Sequence, residues 1–469
     1  MRPKINSQPE LDFQPSNLKL TNGYFAKYEA ISRILDANPG IIEAVHRDLE
    51  RVRRAQRREE TRNDRFAYSS DTVLRVLICQ IVEGLSLRGV VVRIDDSHQL
   101  RRFTRIDGGP MMDFTTLCLL KNAIQPGTWA RINRELAKYA VAQGRMGGEA
   151  LRLDTTAVET NIHYPTDSSL LWDAYRVLER LLERVREIDR AVVGSGRAQL
   201  RAVKRTHLEI TRKGRKGRSN DTLRPLYRRL IDHVEGLCTW AASVIQGLIS
   251  GLESRRYGAW EHAIAELLVE ELVQSRELAE RVIDQARRRV LEGEAVPNEE
   301  KLFSLFEPHT ELLKRGKAAK PIEFGHMIQI EQVAEKFITN VEVFEKKPVE
   351  HELVAQALQR HEELFGRLPD QLAADRGYYR NPETLVALEA RIPVVSIAKK
   401  GRRTPEETER ERDPLFRHAQ RFRAGVEGTI SFLKRVLGLF RCFNRGWEHF
   451  VSTVRSSVFA HNLLILARC

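Results

Sequence analysis

Three acids and two bases in this chain have the residue types and order that phosphodiester chemistry requires. Asp154 lies in RLDTTAVET, Asp375 ends QLAAD, and Glu427 belongs to RFRAGVEGTISFLKR. Metal-assisted phosphoryl transfer uses two divalent cations about 3.5–4 Å apart, which activate the attacking oxygen and stabilise the leaving one. Their ligands are carboxylates on rigid elements. A common arrangement is one Asp inside a central strand, one at the end of the neighbouring strand, and a third acid on a helix crossing them. On strand periodicity, Arg152, Asp154 and Thr156 share one face of RLDTTAVET, and Leu153, Thr155 and Ala157 share the other. An Asp on so apolar a strand is costly without a cation. At about 100° per residue, Arg423 stands about 40° from Glu427 and Lys434 about 20° to the other side, so one helix face presents all three. Each feature has a plainer alternative. Asp154 could cap a turn, Asp375 could make an Asx-turn beside Gly377, and Arg423–Glu427 could be a surface i,i+4 pair.

These residues need strands and helices to hold them. From 320 onward the pattern alternates: GHMIQIEQV and KFITNVEVF read as strands, the second with Phe337, Thr339, Val341 and Val343 on one face. VEHELVAQALQRHEELFG is an amphipathic helix, QLAAD a short buried strand, and NPETLVALEA a helix that Asn381 can cap ahead of Pro382. IPVVSIA is a further strand, and a helix starts near Asp413. ALRLDTTAVET supplies one more strand before a long-helical block at about 168–316. There Leu171, Leu178, Leu181, Val185, Ile188 and Val192 recur at helical spacing, as do Leu230, Val234, Leu237, Ala241, Val244, Leu248 and Leu252. The expected fold class is α/β: a mixed sheet flanked by helices, with a large helical insertion after its first strand. It is preceded by a small all-helical domain at 66–148 and a polar, Arg-rich N-terminal arm at 1–65. The catalytic domain would occupy 149–469.

Inside the insertion, THLEITRKGRKGRSND places Lys213, Arg215, Lys216 and Arg218 on a Gly-rich stretch with almost no acid. It reads as a flexible loop that contacts phosphates, or as a solvated loop.

The trio Asp154, Asp375 and Glu427, with DRGY at the second Asp and R-x3-E-x6-K at the third, resembles the DDE transposases of bacterial insertion sequences. The resemblance runs from about Phe66 to the C-terminus and includes the helical stretch VLRVLICQIVEGLSLRGVVVRI and MMDFTTLCLLKNAI. It implies an RNase H-like catalytic domain and a DNA-binding helical region before it. It also implies two Mg²⁺ ions (Mn²⁺ as a substitute) on Asp154, Asp375 and Glu427, and DNA contacts from Arg423 and Lys434. The partners it implies are double-stranded DNA, as element ends and target, and a second protomer when assembled on DNA. The family's signature Tyr should stand three residues before Arg423, where this chain has Gln420. Two other readings stay open: a nuclease of the same fold that never joins strands, and a DNA-binding regulator with an inactive catalytic domain.

Composition narrows the partners. The 469 residues carry 77 Lys+Arg against 64 Asp+Glu, a formal charge of +13, so a polyanion is a reasonable partner. At 42% hydrophobic residues a chain of this length builds a sizeable core, which excludes disorder throughout. No apolar run approaches the ~18 residues of a spanning helix, and the first residues lack a signal peptide's apolar stretch. Cys79, Cys118, Cys238, Cys442 and Cys469 include no CxxC pair, which fits a reduced cytoplasm. Asp95 and Asp96 resemble a metal pair but lie among arginines as turn residues. His163 reads as structural or as a DNA contact, and Trp447 and Phe443 as a helix anchor or a base-stacking pair. There is no P-loop, so ATP is not implied.

Overall fold

The computed structural model describes residues 18–56, 68–215, 220–314 and 321–468. The chain forms two units, Met1–Thr160 with Gly325–Cys469, and Asn161–Phe324. In chain order the first begins with α1 (Lys19–Asp36), α2 (Pro39–Gln56), α3 (Ser70–Val82), α4 (Leu87–Asp95), α5 (His98–Thr104), α6 (Phe114–Ala123), α7 (Pro126–Ala142) and strand β1 (Ala150–Thr160). The second holds α8 (Asp167–Ile188), α9 (Arg190–Val193), α10 (Leu200–Arg215), α11 (Asn220–Glu253), α12 (Ala259–Ala286) and the short β2 (Glu311–Lys314). The chain returns through β3 (Ile322–Val333), β4 (Ile338–Val343), α13 (Leu353–Phe365), β5 (Gln371–Ala374), α14 (Pro382–Glu389) and β6 (Val394–Ile397). It ends with α15 (Pro405–Arg412), α16 (Pro414–Ala424), α17 (Val426–Arg435), β7 (Arg441–Cys442) and α18 (Trp447–Leu466).

The short helices start where a side chain can satisfy a free backbone N–H. Ser69, Ser86, Ser97 and Asp113 accept from the backbone of Thr72, Gly89, Leu100 and Thr115, and Pro126 opens α7. Within 1–65, residues 19–56 are more than a polar arm. Ile31, Leu35, Ile41, Val45 and Leu49 are buried in the core shared with α3 and α18, one apolar stripe under a charged face. Arg75 of α3, fully buried, donates to Asp71 (2.7 Å), Asp36 (2.8 Å) and Ser32 (2.5 Å), fastening α1 to α3.

In the sheet, β1 is central. β3 runs antiparallel to it with Asp154 opposite Ile330, and β5 runs parallel from Ala150↔Gln371 to Leu153↔Ala374. β6 extends the parallel side and β4 the antiparallel side, while β7 pairs with the end of β1. This is a mixed α/β sheet flanked by helices. The expected alternation of β4 breaks at its start, where Phe337 and Ile338 are both buried. A register shift between Glu331 and Gln332 inserts the extra residue. Asn462 of α18 covers the free edge of β4 by bonding both the N–H (3.0 Å) and the C=O (2.8 Å) of Ile338.

The unit at 161–324 packs α8, α10, α11 and α12 around Leu171, Leu178, Leu230, Val234, Ala241 and Leu268. Thr166 starts α8 with a capping box. No described helix is long and apolar enough to cross a membrane.

Two buried histidines make the fold sensitive to acid. His361 Nε2 lies 2.9 Å from the Gly148 carbonyl and His461 Nε2 3.0 Å from that of Lys336, so each Nε2 carries the proton. Each Nδ1, then an acceptor, is buried without a donor. Burial pushes both down from 6.5 to about 4. Between these values the unfolded chain binds more protons, so their contribution is complete above pH 6.5 and is lost as pH falls toward 4. We predict that His361→Gln/His461→Gln flattens the fall in urea-unfolding free energy over this window by on the order of 3 kcal/mol for each histidine. An unchanged slope would contradict the assignment.

Candidate functional site

Everything at the site hangs on how α16 and α17 meet β1. Arg152 is 4% exposed, and burial pulls its guanidinium down to about 10. Its Nε and Nη2 donate to Gln332 Oε1 (2.9 and 2.5 Å), and its Nη1 donates to the Phe422 carbonyl (2.6 Å) near the end of α16. Gln332 in turn donates to Thr429 of α17 (2.9 Å). A Cβ at Gly425 would sit 2.5 Å from Arg152 Nη1, so only glycine admits the guanidinium at the junction. The stretch expected as one helix is therefore two, α16 and α17, turning at Gly425. The Phe422 carbonyl is drawn into a bond with Arg152, while Gly425 N–H bonds Phe422 in a tighter i→i−3 turn.

β1 and β5 bring the two aspartates side by side. Their paired register ends at Leu153↔Ala374, and Asp154 and Asp375 are the next residue on each chain. Asp154, 8% exposed, accepts from its neighbour Thr155 N–H (2.8 Å). Asp375 accepts from Gly377 N–H (2.7 Å), which is the Asx-turn foreseen as its plainer role. Arg423 Nη2 stands 3.7 Å from Asp154 Oδ2 and 3.8 Å from Glu427 Oε1. Arg423 Nε is buried without a hydrogen-bond partner, whereas the Glu427 carboxylate is 71% exposed. Lys434 lies in the last turn of α17, two turns beyond Glu427. Gln420, at the family's Tyr position, turns inward. Its amide donates to the Ser396 carbonyl (2.9 Å) and hydroxyl (3.0 Å) and to the Ala374 carbonyl (3.3 Å), clamping α16 onto the ends of β5 and β6.

One acid of the site was not foreseen. Glu350, just ahead of α13, accepts from the Thr155 hydroxyl (2.5 Å). A Cβ at Gly377 would collide with the Glu350 carboxylate and would sit 3.0 Å from Asp375 Oδ1, so the glycine lets the two acids approach. The Tyr378 hydroxyl is held well above its ordinary range by burial, and the charges of Asp154, Glu350 and Asp375 push it the same way. The charges of three carboxylates thus act on one phenol, to which Gln329 Nε2 donates (3.4 Å). Nothing in KKPVEHEL marks Glu350 apart from other acids at helix starts.

The remaining expected residues lie elsewhere. Lys213 and Arg215 are in the last turn of α10 rather than on a loop, because Val203, Thr206 and Ile210 bury a helical stripe that carries the helix through Gly214. Lys213 pairs with Glu209 (2.7 Å). Lys216 and Arg218 lie outside the described residues. Asp95 pairs with Arg101 (2.6 Å) and Asp96 ends α4. His163 faces Asp173 (3.5 Å). Trp447 packs on His326 and Phe450, while Phe443 is exposed.

The donor set suits a hard divalent cation in chemistry, being carboxylates without thiolate or imidazole. Asp154 and Asp375 are adjacent, but the third expected ligand is turned onto Arg423. Among the described residues no three His, Cys, Asp or Glu are gathered to hold a metal ion.

The Glu350–Thr155 bond predicts that Thr155→Val costs about 1.5 kcal/mol of unfolding free energy. It should cost clearly less on a Glu350→Gln background. Equal costs in both backgrounds would show that the two side chains do not act together. In comparisons with known proteins, the chain matches no family model, no curated protein and no solved structure.

Proposed function

We propose that the chain is a DDE transposase, with an RNase H-like catalytic domain, that cuts the ends of a mobile DNA element and joins them to target DNA. The observation that carries this reading is one Asp inside a central strand, a second at the end of the neighbouring strand, and Arg423 reaching from a crossing helix toward both Asp154 and Glu427. On this reading Asp154, Asp375 and Glu427 would hold Mg²⁺, with Glu427 released from Arg423. The bound cations supply Lewis-acid polarisation of the phosphate and lower the pKa of water.

The chain's own residues do the positioning. Arg423 and Lys434 bind the scissile phosphodiester through charge-assisted hydrogen bonds, and the phosphate replaces the acids as Arg423's partner. The buried floor around Tyr378 and Gln329 keeps solvent from the inner side of the carboxylates. In cleavage, a water oxygen bonds to phosphorus in line as the P–O3′ bond breaks, leaving a 5′-phosphate and a 3′-OH. In joining, that 3′ oxygen bonds to a target phosphorus while the target's own P–O3′ bond breaks. The two steps share one geometry, so no covalent protein–DNA intermediate is needed.

The proposed partners are double-stranded DNA and a second protomer on the assembled ends. A DNA-binding regulator without cleavage activity would share the Arg423-bridged arrangement, and catalysis separates the two. Asp154→Asn, Asp375→Asn and Glu427→Gln should each lower Mg²⁺-dependent strand cleavage by at least 100-fold, on the order of 3 kcal/mol in the barrier, while duplex binding is retained. Chelation of Mg²⁺ should do the same to the unmodified protein. Cleavage that survives Asp375→Asn would overturn the assignment.

A further inference from the structure

A second charged surface lies in the unit at 161–324. α10 buries Val203, Thr206 and Ile210 against its neighbours. On the opposite side Arg201, Lys204, Arg205, Arg212 and Arg215 are all exposed, with Leu208 among them at 54%. At about 100° per residue these six fall within about 100° of arc, centred opposite the buried stripe. The ion pairs of this helix and of the start of α11, Lys213–Glu209 (2.7 Å) and Arg224–Asp221 (3.1 Å), leave all five cations out. From α11, Arg228 and Arg229 are exposed as well, and Arg229 is close enough to act on the Glu209 carboxylate together with Lys213 and Arg212. The basic face therefore spans two packed helices.

Like charges at i,i+4 spacing destabilise a helix, and the acid at the edge of this face, Glu209, is already paired with Lys213. A polyanion removes that repulsion. The face contains no aromatic ring on which unpaired bases could stack, which argues against single strands. One exposed leucine is too little apolar surface for insertion into a lipid interface. Guanidinium groups match phosphate oxygens, and α10, at about 24 Å long, spans about seven base-pair steps of duplex backbone. We propose that the outer face of α10, with Arg229 of α11, is a binding surface for the phosphate backbone of duplex DNA. It holds DNA by charge, without reading its sequence. The choice of DNA rests on the function proposed above; the charge and geometry of the face do not.

The experiment uses the full chain, a fluorescent duplex of arbitrary sequence and a salt series, read by anisotropy without divalent cation. The variant Arg201→Ala/Lys204→Ala/Arg205→Ala/Arg212→Ala should bind at least tenfold more weakly, and its slope of log affinity against log salt should drop by about 3–4. Its thermal midpoint should hold, because all four side chains are exposed. Arg276→Ala, which removes a cation of α12 already paired with Glu280 (3.0 Å), should change the slope by less than about 1. Unchanged binding by the fourfold variant, an equal loss with Arg276→Ala, or binding of wild type to anionic vesicles or RNA hairpins but not to duplex DNA would overturn the proposal. Because no cleavage is read, its failure is distinct from failure of the carboxylate site.

Discussion

The buried guanidinium of Arg152 is the constraint on which the site depends. A charge so far from water is tolerated only when its donors are satisfied, and Arg152 is satisfied by Gln332 on one side and the Phe422 carbonyl on the other. The second bond draws on a carbonyl near the end of α16, and Gly425 leaves room for the approach. The chain turns there, and α17 continues under the grip of Thr429 on the same Gln332. Arg423 and Glu427, on the two sides of the turn, arrive over Asp154 as a consequence. Gln420 sets the other end by tying α16 to the tips of β5 and β6. The second aspartate and the crossing helix are thus held by one continuous set of polar contacts.

This arrangement makes electrostatic sense of a cation among acids. Asp154 is buried and Asp375 adjoins it, so their negative charges reinforce one another in a region of low dielectric. Glu350, bonded to Thr155, adds a third. Arg423 stands beside Asp154 at a distance longer than a direct hydrogen bond. On the proposed function, a phosphate would recruit the loosely held Arg423 guanidinium and release Glu427 toward the aspartates.

The strands and the order of the acids were legible in the sequence because their signals are local. Alternation marked β1, the short apolar run marked β5, and Asn381 with Pro382 marked the start of α14. The helical stripes of the insertion were equally plain. What was hidden depends on contacts distant in sequence. A helical wheel through 423–434 gives a single face, and nothing within that stretch reveals that Arg152, some 270 residues earlier, breaks it at Gly425. Glu350 is invisible for the same reason, since its place is defined by Thr155 and Gly377. Gln420, where the resembled family has its Tyr, is a clamp for the helix. Residues 19–56 read as polar because charge dominates their composition, yet Tyr28, Ile31, Leu35, Ile41, Val45 and Leu49 are apolar and buried. The basic stretch at 211–218 drew the eye to its glycines, while the apolar spacing that carries α10 to Arg215 was the stronger signal.

The net charge of +13 is likewise a sum of separate things: buried structural arginines such as Arg75 and Arg152, the Arg423–Lys434 face, and the unpaired stripe on α10. Of these, the last two are available to a polyanion. The central claim is that the carboxylate site joins DNA as well as cutting it. Its most direct test is strand transfer of a duplex with a pre-made 3′-OH end into supercoiled plasmid in Mg²⁺. The account predicts covalently joined product with the unmodified protein and none with Asp375→Asn. Absence of product from the unmodified protein, or undiminished product from the variant, would contradict it.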